Sequence, residues 1–149
     1  MTNALKTHAQ VSGLFEYVAG HAILAGHGSG VAWWCMVDTM GVYPAGSGLN
    51  AATGVLVYKV MVTLNTSTYE PLDDVDPRVT QAADVLFRAY IGGFTLGGIV
   101  RNVDVFGAAG QRLVANAGWV TIGGDGGGRY RAMIITLPLI INDLWTEVA

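Results

Sequence analysis

Histidines, carboxylates, a lone thiol and one glycine-rich segment are the residues of this chain that could do chemistry. His8, His21 and His27 are its three histidines, and no Cys or His spacing matches a zinc motif. His21, Asp38 and Ser29 contain the residue types of a hydrolytic triad, a combination that arises freely in any sequence. Neither Ser29 nor Ser47 stands in a Gly-x-Ser-x-Gly elbow. Gly26-His27-Gly28-Ser29-Gly30 resembles a phosphate-cradling loop only in glycine content. It lacks the Gly-Lys-Ser/Thr ending and its strand–loop–helix setting, so it is expected to be an exposed hinge. Cys35, between Trp34 and Met36, is expected to pack as a buried small hydrophobe, because no cation flanks it to stabilise a thiolate. Glu70, Asp73, Asp74 and Asp76 could approach a calcium ion, but the glycine and closing Glu of an EF-hand loop are missing. Their ordinary role is a solvated loop that supplies one helix cap. Nothing here is a credible nucleophile, metal or phosphate motif, and the expectation is a protein that is not an enzyme and needs no cofactor.

Composition points the same way. The chain has 149 residues, a length suited to one domain over residues 1–149 with a sizeable core. Charged residues make up 13% and hydrophobic residues 52%, against about 25% charged in an ordinary globular domain. That leaves too little charge to cover a large free surface, and burial in an oligomer is the expected reason. A membrane span needs about 20 apolar residues in a row. The run Val31–Val37 is much shorter and Asp38 ends it, while Leu14–Leu24 is interrupted by Glu16 and His21. No basic segment precedes it, so no signal peptide is expected. A net charge of −3 with eight scattered basic residues argues against stable nucleic-acid binding. One cysteine allows no internal disulfide and suits assembly in a reducing cytoplasm.

These residues must be positioned by a small set of elements. Helical spacing of Leu5, Ala9, Val11 or Ser12, Phe15, Val18 and Ala22 predicts a helix from Leu5 to about Leu24, ending near Gly20 or Gly26. Val31–Asp38 reads as a buried strand. It puts Trp33 and Trp34 on opposite faces, one in the core and the other under a helix or another subunit. Met40–Gly54 reads as a long glycine-rich loop. Val55–Asn65 is apolar on both faces and is expected at the centre of a sheet. Asp76 as N-cap and Pro77 as first residue open a helix with the stripe Val79, Ala82, Ala83, Leu86 and Tyr90. Asp84 and Arg88 pair on its outer side, and Gly92-Gly93 stops it. Ile99–Phe106 is expected to be a strand. Leu113–Ile122 and Tyr130–Leu137 form a hairpin across Gly123–Gly128, and Pro138 bends the last strand or makes it an edge. The order predicts an α+β fold, with a mostly antiparallel sheet packed against two helices in a single domain that forms a ring oligomer.

The region Asp74–Trp145 resembles the tail terminator proteins of long-tailed phages of actinobacterial hosts. The resemblance lies in the helix Pro77–Ile91, the segment Gly92-Gly93-Phe94-Thr95-Leu96-Gly97-Gly98-Ile99-Val100-Arg101-Asn102-Val103-Asp104, and the ending from Tyr130-Arg131-Ala132-Met133 through Leu137-Pro138-Leu139-Ile140-Ile141-Asn142-Asp143-Leu144-Trp145. The N-terminal half matches in layout only. The resemblance implies a virion protein of the tail and neck, a hexameric ring that caps the tail tube and ends its polymerisation. Its partners would be further copies, the tube protein and the head-completion (stopper) protein, with DNA passing through unbound. Another head–tail adaptor of the neck, or a small α+β ligand-binding domain or enzyme, are the alternatives. On this reading Trp33, Trp34, Ile140 and Trp145 are candidate interface residues, and Glu70, Asp73 and Asp74 are candidates to face the channel.

Overall fold

The computed structural model describes residues 1–28, 30–43, 51–66, 74–123 and 128–146. The first helix, α1, spans Thr2–Ser12 and buries Leu5 and Ala9. It is shorter than its apolar spacing predicts. Gly13 takes a left-handed conformation (φ 71°) and its N–H bonds back to the Gln10 carbonyl, which closes the helix in the way glycine favours. The residues expected to continue it become a strand instead. In β1 (Tyr17–Ala19), Tyr17, Val18 and Ala19 lie parallel to Ala32, Trp33 and Trp34.

Two long strands follow, β2 (Val31–Val42) and β3 (Ala51–Asn65), paired antiparallel from Val31↔Leu64 to Val42↔Gly54. Of the described residues in the expected Met40–Gly54 loop, all but Tyr43 are strand, namely Met40–Val42 and Ala51–Gly54; residues 44–50 lie outside the described set. The pairing of Gly41 with Val55 and of Gly54 with Ile141 shows why composition misled. Gly54 sits in a strand because a Cβ there would run into Leu144 and come within 2.9 Å of Trp145.

The second helix, α2, runs Val75–Ile91 and buries Val75 together with the expected stripe Val79, Ala82, Ala83, Leu86 and Tyr90. Its N-cap is Asp74, whose side chain makes no capping bond. Asp76 is thus not the cap; it lies in the first turn, where its Oδ1 accepts from Arg131 Nε at 2.6 Å. Pro77 fits the first turn because the N–H it lacks would have no intrahelical partner. Asp84 and Arg88 pair at 3.0 Å as expected.

Of the expected Ile99–Phe106 strand, only β4 (Asn102–Val103) pairs. Leu96, Gly97 and Gly98 all take positive φ, so the chain turns rather than extends before it. Asp104 then folds the following turn by accepting from the N–H groups of Ala108 and Ala109 at 2.9 and 2.8 Å. The hairpin strands are β5 (Val114–Ile122) and β6 (Gly128–Thr146). Pro138 neither ends β6 nor marks an outer edge; it is buried opposite Val57 of β3. The Asp104 N–H donates to the Pro138 carbonyl, so the nitrogen without hydrogen faces the side where β5 stops at Thr136 and β4 begins at Leu139. The break in the ladder falls where no donor is needed.

The six strands form one mixed sheet in the order β1-β2-β3-β6-β4, with β5 also on β6. Only the β1–β2 pair is parallel. α1 lies against β1 and β2, and α2 against β3 and β6. The fold is a single α+β domain. Its main core lies between sheet and helices and is built on Trp33, Tyr58, Leu86, Tyr90, Ile135 and Leu137. A smaller cluster on the other sheet face joins Ala19, Ile23, Trp34, Met61, Ile122, Tyr130 and Ala132.

Candidate interaction surfaces

Three of the four expected interface residues are inside the domain. Trp33 is fully buried in the main core. Its Nε1 has no hydrogen-bond partner of good geometry, although it lies near enough to Tyr90 to favour the ionised phenol slightly. Burial dominates there and pushes the Tyr90 pKa well up. Trp34 faces the other way, as strand alternation requires, but its cover comes from its own chain. The segment from Ala19 to His27 folds across it. Trp34 Nε1 donates to Thr63 Oγ1 at 3.2 Å, and His27 Nε2 meets the same hydroxyl at 3.0 Å. Tyr130 completes the closure: it accepts from the His27 N–H and donates to the His27 carbonyl, while Asn65 Nδ2 donates to it. Ile140 is buried between Val55 and Asn102. Trp145 alone keeps substantial exposure, 37%, at the end of β6 beside Gly54.

The surface that sequence reading passed over is the outer flank of β2. β1 covers it only at Ala32–Trp34. From Cys35 to Val42 no strand pairs with that flank among the described residues. The same stretch exposes Met36, Val37, Met40 (64%) and Val42 (62%). Asp38 forms a bulge between Val37 and Thr39, and Gln111 Nε2 reaches across to donate to Thr39 Oγ1 at 3.3 Å. The alternation Val37-Asp38-Thr39-Met40-Gly41-Val42 was the available signal, masked by the glycines that follow. On the other side of the sheet β5 is also unpaired on its outer flank among the described residues. There Trp119 is half exposed, with the guanidinium carbons of Arg129 and Arg131 at 4.4 and 5.0 Å from its ring. Phe106, 93% exposed, crowns the turn folded by Asp104.

Among the described residues the candidate reactive groups are not gathered. His21 is exposed and its Nδ1 meets the Ala22 carbonyl, whereas Asp38 stands on the β2 edge; Ser29 lies outside the described residues. Cys35 is buried, and desolvation pushes its thiol up to about 11. His27 is half-buried, and its pKa is lowered by desolvation, with a hydrogen bond to the Gly28 backbone acting weakly against it. The two ends of the glycine segment are packed, Gly26 on Tyr130 and Gly30 on Glu16, while Gly28 is exposed, so only its middle matches the expected exposed hinge. Of the acidic set, Asp74 is exposed at the head of α2, and Glu70 and Asp73 lie outside the described residues. Among the described residues no three His, Cys, Asp or Glu side chains converge as a metal site, and no helix is long and apolar enough to cross a membrane. No protein-family model matches the chain, and no curated protein matches it.

Proposed function

We propose that this protein is a non-catalytic virion subunit, a tail terminator whose copies form a hexameric ring on the end of a phage tail tube. The observation that carries the reading is the flank of β2 that no strand pairs among the described residues, a row of backbone donors and acceptors beside Met36, Val37, Met40 and Val42. An edge strand that exposes apolar side chains is a template for a further strand or subunit, and the Asp38 bulge limits which strand fits. Fully covering a side chain of this size stabilises by about 1.5–3 kcal/mol. Met36, Val37, Met40 and Val42 are 39, 41, 64 and 62% exposed, together about two full side chains, so covering them contributes about 3–6 kcal/mol, near the lower end of the association cost of about 4–15 kcal/mol.

The low charge of the chain and the resemblance of Asp74–Trp145 to tail terminators support the same reading. In it the ring stops tube growth and receives the head-completion protein, and DNA passes through the hole without specific binding. On this reading the exposed Asp74 faces that hole, where a carboxylate repels phosphates. Light scattering across a concentration range, alone and with tube protein, tests the proposal. A ring mass, or a discrete complex that halts tube polymerisation, is expected. A strictly monomeric chain that leaves tube growth untouched would remove the reading. A monomer that binds only the head-side component would favour an adaptor of the neck.

A further inference from the structure

We infer that the outer flank of β2 in one copy receives the outer flank of β5 from a second copy, so that the sheet continues from subunit to subunit. The inference rests on the proposed ring and names the contact that builds it. Four observations select β5 as the occupant. First, the lengths match: the free part of β2 is Cys35–Val42, and β5 is Val114–Ile122. Second, the sense matches. β2, β3, β6 and β5 follow one another antiparallel. The two flanks therefore run in opposite directions, so a copy in similar orientation presents β5 antiparallel to β2; because Val114–Trp119 stand level with Met36–Val31 through β6 and β3, that copy is also offset along the strands, past β1, to reach Cys35–Val42. Third, the charges match. β2 carries one charged residue, the exposed Asp38. The stretch Arg112–Ile122 has no acidic residue, and Arg112 and Arg129 are exposed beside it. Fourth, a symmetric β2–β2 pairing is disfavoured. It would bring two Asp38 carboxylates together, and like charges directly opposite each other destabilise a strand pair. A contact between two different patches is heterologous, and such contacts form rings when their rotation closes.

Cysteine cross-linking of the full chain tests this. Met40→Cys and Ala117→Cys place thiols on exposed positions of the two flanks; Cys35 is buried and does not compete. With a short bismaleimide, the double variant is expected to give a ladder of linked chains beyond the dimer, and neither single variant should. In parallel, Asp38→Lys should weaken self-association about tenfold, and adding Arg129→Glu should restore it. An oligomer of normal mass that gives no ladder, or dimers from Met40→Cys alone, overturns the β2–β5 contact while leaving the ring reading intact. A protein that stays monomeric overturns both.

Discussion

Thr63 shows how much one hydroxyl can organise. It holds the Trp34 indole and the His27 imidazole, and with them the segment that covers the second sheet face. Thr63→Val keeps the shape but strands the Trp34 Nε1–H in a buried place, which costs about 1–3 kcal/mol. The expected readout is a lower urea midpoint with a red-shifted tryptophan emission. An unchanged midpoint would mean that the hydroxyl is dispensable. Gly54 makes a second single-residue test. Ala at this site forces Leu144 and Trp145 away from β3, and overpacking of this kind costs about 1–3 kcal/mol. Thermal unfolding of Gly54→Ala checks it.

At the scale of elements, α2 is fastened to the sheet by its apolar stripe and by one ion pair at its head. Asp76 and Arg131 meet at 2.6 Å, but the Asp76 side chain is 64% exposed, so solvent screens the pair. Asp76→Ala should cost no more than about 1 kcal/mol. The loss should vanish when Arg131 is already Ala, because the partner is then gone. A double-mutant cycle in urea measures this; equal losses in both backgrounds would assign the effect to the helix terminus instead.

At the scale of the whole molecule, two properties should be separable. Met40→Lys with Val42→Lys alters side chains that touch solvent in the single subunit. It should reduce self-association without lowering the melting temperature of dilute protein. A matched fall in both would show that this end of β2 belongs to the core. Acid response is the second property. His8 and His27 have folded-state pKa values lowered by burial from 6.5. A depressed pKa means the unfolded chain binds the proton more readily. Their contribution is therefore present above pH 6.5 and lost as pH falls through the lowered values. The urea midpoint should drop below that pH, and His27→Gln should flatten the drop. A midpoint that rises on acidification would contradict the burial of both rings.

The sequence by itself determined the elements that repeat a period. The stripe of α2, the two-faced β3 and the β5–β6 hairpin were legible because burial on one face imposes a spacing on the residues. The buried Cys35 followed from its apolar neighbours in the same way. Where tertiary contact overrides local preference, the sequence was silent. Gly41 and Gly54 looked like loop residues, yet they belong to paired strands, Gly54 because another part of β6 needs the space. Phe15–Ala22 kept helical spacing, but Gly13 ended the helix and β2 offered Tyr17–Ala19 a parallel partner. Pro138 looked like a strand end, and only the handover from β5 to β4 made it harmless. The candidate surface depended on the same long-range facts. Trp34 and Ile140 were buried by segments distant in sequence, and the flank of β2 was left open because β1 is three residues long. Which edge of a sheet lacks a neighbour is a property of strand order, and strand order is written in contacts rather than in spacing.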